Sequence, residues 1–259
     1  METEIITLYV ICDEFLQYMN QRDHPDSEMS DAEVLTTALV AMRYCGGNYS
    51  QARRWLGVPR YIPRMLSKSQ FSRRLKRLQP LLISLFRLLG DQFKAHNSDQ
   101  IYALYTTDHY RGYIASKRRY FYGLKVHLLV TQQGEPVEFF FTPGSASDVA
   151  HLDDFDFDLP PQATIYADKA YNHYLIEDCL AEDGQISLSP FRKKNSQRPV
   201  PPWIFFLQHH YRKIVETSAS LVERMLPKHI HATNTAGFEL KIILFMLALS
   251  FDRLLQVTT

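Results

Sequence analysis

LKVHLLVTQQGEPVEFFFTPG, residues 124–144, carries the strongest secondary-structure signal in the chain. Leu124, Val126, Leu128 and Val130 alternate with Lys125, His127 and Leu129. That alternation predicts a strand with a partly polar face. Gln132-Gln133-Gly134 supplies a turn, and Val137 to Thr142 predicts a returning strand that stops at Pro143-Gly144. Further on, ATIYA at 163–167 predicts a third, short strand ending at Asp168. Helices follow from Tyr171 to Glu182, from Phe205 to Leu226 and from Gly237 to Leu255. In the other direction, residues 1–97 read as helical. Paired strands, then a strand followed by helices, predict a mixed α/β fold in which helices cover a sheet.

The helical region can be read in detail. Ser30-Asp31-Ala32-Glu33 has capping-box spacing, and Val34, Leu35, Ala38, Leu39 and Met42 follow on one face. Cys45-Gly46-Gly47-Asn48 stops that helix. A segment from Ser50 to Leu56 predicts a short helix ended by Gly57 and Pro59. Ser67 can cap another, with Phe71, Leu75 and Leu78 on its apolar side and Arg73, Arg74, Lys76 and Arg77 opposite. A basic helix after a tight turn is what a helix-turn-helix unit offers the DNA major groove. The plainer alternative is a solvated face on a helical bundle.

Composition narrows the class. The chain has 259 residues, 46% hydrophobic and 22% charged, which suits a globular protein with a buried core. Cys12, Cys45 and Cys179 are far apart and odd in number, so neither a disulfide framework nor a cysteine zinc site is expected. Glu2 and Glu4 stand where an export signal would carry positive charge, and the apolar run Ile242 to Phe251 is about half a membrane span. A cytoplasmic protein is expected. Net charge is only +1, but it is segregated: Ser50–Gly90 holds ten Lys or Arg and no acid. Glu135–Asp183 holds twelve acids against Lys169 alone, and Gln185–Val215 holds six bases and no acid. Such a pattern suits a DNA-contacting arm beside an acidic centre.

Asp168 stands directly after an apolar strand, where open α/β sheets gather their ligands. Glu216 lies on a later helix, with Ile214, Leu221, Val222 and Met225 forming that helix's core stripe away from it. Arg212 and Glu223 share its face. Carboxylates at a strand end and on a late helix suit two-metal phosphoryl transfer, because hard Mg2+ or Mn2+ prefers oxygen ligands. Taken singly, Asp168 can be a helix cap and Glu216 a partner in a surface ion pair. His209, His210, His229 and His231 lack the acid or thiolate of a zinc pattern. Ser145 is not in a nucleophile elbow. Arg111, Lys117, Arg118 and Arg119, interleaved with Tyr113, Tyr120, Phe121 and Tyr122, offer either a phosphate-and-base surface or a water-facing strand edge.

These residues fall in motifs that resemble a known family. YRGYIASKRRYFYGLKVHLLVT (110–131), FFFTPGSASD (139–148), YADKAYN (166–172), RKKNSQRPVPPW (192–203), YRKIVETSASLVERMLPK (211–228) and GFEL (237–240) occur in the order seen in bacterial insertion-sequence transposases with a DDE domain. The resemblance covers nearly the whole chain. It implies a ribonuclease-H-like mixed sheet flanked by helices over residues 98–259 and a helical DNA-binding region over residues 1–97. It also implies DNA strand cleavage and transfer with Mg2+ or Mn2+, acting as a homo-oligomer on the element's terminal inverted repeats and target, with no membrane partner. Asp168 matches the family's second catalytic Asp, Glu216 its Glu, and Arg212 the companion base, with Asp168 and Glu216 as metal ligands. Arg73, Arg74, Lys76, Arg77, Lys117, Arg118, Arg119, Lys193 and Lys194 are the candidate DNA contacts.

The family's first Asp has no matching position. It belongs at the end of the first core strand, in a stretch resembling I-D-S-F-P. Here Ile101-Tyr102-Ala103-Leu104 passes straight to Tyr105–Gly112, which resembles a region further downstream. The first strand therefore reads as truncated, and Asp108 is the one nearby acid. Two expectations follow: a transposase with a damaged catalytic centre, or a DNA-binding remnant without catalysis.

Overall fold

A computed structural model describes residues 1–114, 119–143, 146–192, 196–225, 229–231 and 234–257; within these, the side chains of 107–114, 119–124 and several late-helix residues, Arg212 among them, lie outside the description. Contacts divide the chain into two compact units. One comprises Met1–Phe86 with Met225–Thr259, and the other Arg87–Tyr113 with Arg118–Arg224.

The first unit is helical. Its helices are α1 (Glu2–Tyr18), α2 (Asp31–Cys45), α3 (Tyr49–Leu56), α4 (Lys68–Arg77), the first half of α5 (Gln79–His96) and a late helix (Thr235–Val257). α2 is its centre, with every residue from Val34 to Met42 buried. The capping box forms as expected: the Ser30 hydroxyl accepts from Glu33 N, and the Glu33 carboxylate accepts from Ser30 N. Gly46 ends α2 in the left-handed region, a conformation that costs a residue with a Cβ about 1 kcal/mol or more. Gly47 follows at φ +80, and a Cβ there would come within 3.1 Å of the Phe245 ring. The apolar run of the late helix is buried on all sides from Ile242 to Phe251. Among the described residues no helix is long and apolar enough to cross a membrane.

The second unit is α/β. Its strands are β1 (Ile101–Ile114), β2 (Arg119–Thr131), β3 (Pro136–Pro143), β4 (Thr164–Ala167) and β5 (Ser187–Pro190). They lie in the sheet in the order β3-β2-β1-β4-β5. β2 and β3 pair antiparallel, whereas β4 pairs parallel with both β1 and β5, so the sheet is mixed. Where the sequence suggests a shortened first strand, β1 runs unbroken for 14 residues. Helices α6 (Tyr174–Asp183) and α7 (Pro202–Met225) follow β4 and β5, and we number the late helix α8. β5 is absent from the sequence reading, since SLSP is only four residues long, contains no β-branched residue and ends in proline.

Candidate active site

Parallel pairing fixes what surrounds Asp168. Tyr102 pairs with Ile165, Ala103 with Tyr166 and Leu104 with Ala167, and β5 continues the register with Ser189 beside Tyr166. Paired residues in a parallel ladder point to the same side, and successive residues to opposite sides. Ala103, Tyr166 and Ser189 therefore share one face of the sheet. Asp168, two residues after Tyr166, follows on that face as the strand ends. It is exposed, and its carboxylate accepts from Lys169 N at 2.7 Å, capping a single 3-10 turn at Lys169–Tyr171.

The same face receives α7. Gln208, fully buried, donates to Ser189 O, Ser189 Oγ and Pro190 O on β5. Tyr211 stacks on Tyr166 of β4, with centroids 4.6 Å apart and planes 12° apart. From Gln208 to Tyr211 the helix thus steps from β5 to β4. Glu216, exposed, lies five residues further along, about 7.5 Å of helix rise beyond Tyr211. Asp168 and Glu216 both follow from the Tyr166–Tyr211 contact, Asp168 two residues after Tyr166 and Glu216 five residues after Tyr211. Arg212 and Asp108 have backbones in α7 and β1, but their side chains lie outside the described residues.

The opposite face holds a polar cluster that the sequence reading missed. His127, expected on a partly solvated strand face, is fully buried and stacks on Phe140 at 4.4 Å. Its Nε2 bonds Thr142 Oγ1 at 2.8 Å and its Nδ1 bonds Tyr171 Oη at 2.9 Å. Thr106 Oγ1 lies 2.5 Å from Tyr171 Oη and 3.2 Å from His127 Nδ1. Burial pushes the imidazole down to about 4, so it is neutral at physiological pH. Tyr171 closes the turn that Asp168 opens, so this cluster anchors the turn from beneath. Asn172 anchors it from the side, donating to Lys169 O and Phe191 O.

The basic candidates separate by environment. Arg73, Lys76 and Arg77 are exposed on α4. Arg74 is not: it is 17% exposed and turned inward. Its guanidinium donates to Asp31, Asp23, Ser27 and Met29 O, so it ties α4 to the start of α2. The signal for this was the acid-rich stretch from Asp23 to Asp31, forty-odd residues away and unreadable as a partner from sequence. In the second unit, Arg192 makes two 2.7 Å bonds to buried Glu177, and Arg198 makes two 2.8 Å bonds to Asp178. Both guanidinium groups lie over the Tyr174 ring. Lys193 and Lys194, between them in sequence, lie outside the described residues, as do Lys117, Arg118 and Ser145; Arg119 begins β2, its side chain outside the description.

Asp168 and Glu216 supply oxygen donors of the kind a hard divalent ion takes. Both are exposed, yet among the described residues no group of three His, Cys, Asp or Glu could hold a metal ion. Two-metal chemistry needs more carboxylate than these two provide.

The sheet order, with a parallel β1–β4 pair and an antiparallel β2–β3 pair, makes a mixed α/β core consistent with a ribonuclease-H-like domain. A family model, the transposase DDE domain, matches residues 91–251. The chain belongs to that family, whose members generally depend on divalent metal. No curated protein and no solved structure matches it.

Proposed function

We propose that the chain is the transposase of an insertion sequence, in which residues 1–97 bind the element's ends and residues 98–259 form the domain for strand cleavage and transfer. The observation that carries this reading is Asp168, exposed at the end of β4 on the face that α7 covers, inside a core matched by the DDE family. Asp168 and Glu216 are its acidic residues, and Arg212 is the companion base. Arg73, Lys76 and Arg77 are the DNA contacts of α4, with Arg74 as their structural support. The remaining basic residues, Lys117, Arg118, Arg119, Lys193 and Lys194, extend the DNA surface.

Duplexes carrying the inverted repeats that flank the reading frame test it. Purified full-length protein should bind them with an affinity that falls steeply with salt, about 0.9 in log–log slope per phosphate contact. Replacing Arg73, Lys76 and Arg77 with Ala should lower that slope by up to about three contacts' worth; an unchanged slope removes α4 from the DNA surface. Mn2+-dependent strand cutting that Asp168→Asn abolishes supports an active enzyme. A second reading, a DNA-binding remnant without catalysis, is favoured by the lack, among the described residues, of three His, Cys, Asp or Glu that could hold a metal ion. Under that reading the ends are bound, no cutting occurs, and Asp168→Asn leaves binding intact.

A further inference from the structure

The β1–β4 register says which residue of this chain stands where a further ligand would be needed. Leu104 pairs with Ala167 as the last step of that ladder, and continuing the register by one residue would bring Tyr105 next to Asp168, the residue that follows β4. Tyr105 follows Ala103 by two and therefore shares the face of Tyr166 and Asp168, the face on which Tyr211 of α7 stacks. It is 4% exposed, so its ring is buried, whereas Asp168 is exposed. Thr106, the next residue, turns to the other face and is engaged with His127 and Tyr171. Asp108 lies three residues beyond Tyr105 on the same unbroken strand, about 10 Å along it at 3.3 Å per residue. Carboxylates that share a divalent ion bind it at 2.0–2.6 Å, so neighbouring ligands must sit within a few ångströms of one another.

We infer that Tyr105 occupies the place of the missing first carboxylate, so that this chain holds no complete divalent-metal centre and Asp108 does not replace the lost ligand. A phenol ring fills the position without an anionic oxygen, and hard cations select anionic oxygen. The inference rests on the transposase reading, because that reading is what calls for a centre at Asp168. It goes beyond it by locating the defect at one side chain and naming the exchange that repairs it. An Asp at 105 would be the ladder neighbour of Asp168, on the α7 side.

Mn2+ binding to the full-length protein, followed by the electron paramagnetic resonance of the free ion, tests this without relying on activity. Tyr105→Asp should bind Mn2+ at least tenfold more tightly than the natural chain, and adding Asp168→Asn should remove the gain. Asp108→Ala should leave the natural chain's Mn2+ affinity unchanged. A folded Tyr105→Asp protein with no gain overturns the inference, and so does a tenfold loss in Asp108→Ala. Circular dichroism reports whether Tyr105→Asp folds. If it does not, the Asp108→Ala comparison decides: an unchanged affinity supports the inference and a tenfold loss overturns it. Binding of the terminal-repeat duplex by the same samples separates the two levels. No gain in Mn2+ affinity with DNA binding intact defeats this inference alone, whereas loss of specific DNA binding in natural and variant chains alike defeats the transposase reading.

Discussion

The two faces of the central sheet are built from similar residues and have opposite characters. On one, His127, Thr142, Thr106 and Tyr171 form a closed set of hydrogen bonds with His127, Thr142 and Tyr171 wholly out of water. On the other, Asp168 emerges into solvent at a strand end, beside a buried tyrosine and below a helix that carries an exposed glutamate. A buried polar group is stable only when its partners are present, so the first face behaves as one structural unit. An exposed carboxylate keeps its hydration and contributes little to folding, which leaves it available for chemistry. The contrast shows that polarity in a strand does not distinguish scaffold from site. Burial and bonding do.

The contrast can be broken first at His127. His127→Ala should destabilise the protein by about 3–5 kcal/mol, because it removes a buried ring, takes the imidazole partner from the Thr142 hydroxyl and leaves Tyr171 and Thr106 bonded only to each other within the cluster. Urea unfolding measures it, and a loss below about 1 kcal/mol would remove this face from the scaffold.

A slightly smaller effect is expected from pH. The folded imidazole is held down to about 4 from an ordinary value of 6.5, so the unfolded state takes up the proton first as pH falls. Stability should therefore decline between about pH 6.5 and 4 by on the order of 3 kcal/mol and level off below. Glu138 acts in the opposite sense. Burial raises its carboxyl to about 7, so its contribution is present below 4.5 and is lost as pH rises through 7. The difference in unfolding free energy between the natural chain and His127→Asn, followed against pH, cancels Glu138. A flat difference would mean that the imidazole takes up its proton as readily in the folded as in the unfolded chain, so that the fold does not hold it neutral.

Across the sheet the effects shrink. Tyr211→Leu should cost about 1 kcal/mol by removing the stack on Tyr166, and thermal unfolding would register it. Asp168→Asn should change stability by no more than about 0.5 kcal/mol, since the amide oxygen can still accept from Lys169 N. Any strand cutting should nevertheless vanish. A large loss of stability in Asp168→Asn would instead make that carboxylate a structural cap.

Much of this was legible in the chain itself. The Ser30 and Ser67 capping boxes, the stop at Gly46, the hairpin from Leu124 to Thr142 and the strand ending at Asp168 all depend on residues within a few positions of one another. The family motifs pointed to Asp168 and Glu216 as candidates without any coordinates. His127 was misjudged because alternation says which residues share a strand face, not whether a second layer covers it. Arg74 could not be told from Arg73 and Arg77, because the acids that hold it lie on another helix.

For this protein, then, sequence alone determined the helix ends, the β-hairpin and the family, since short-range backbone geometry and local motifs encode them. It also exposed the gap after Leu104. Only the tertiary structure decided what fills that gap. The pairing of Leu104 with Ala167 joins residues more than sixty positions apart, and ladder hydrogen bonds between distant strands leave no local trace in the chain. That pairing, together with the two-residue alternation of side chains, carries the inference that Tyr105 rather than Asp108 stands next to Asp168.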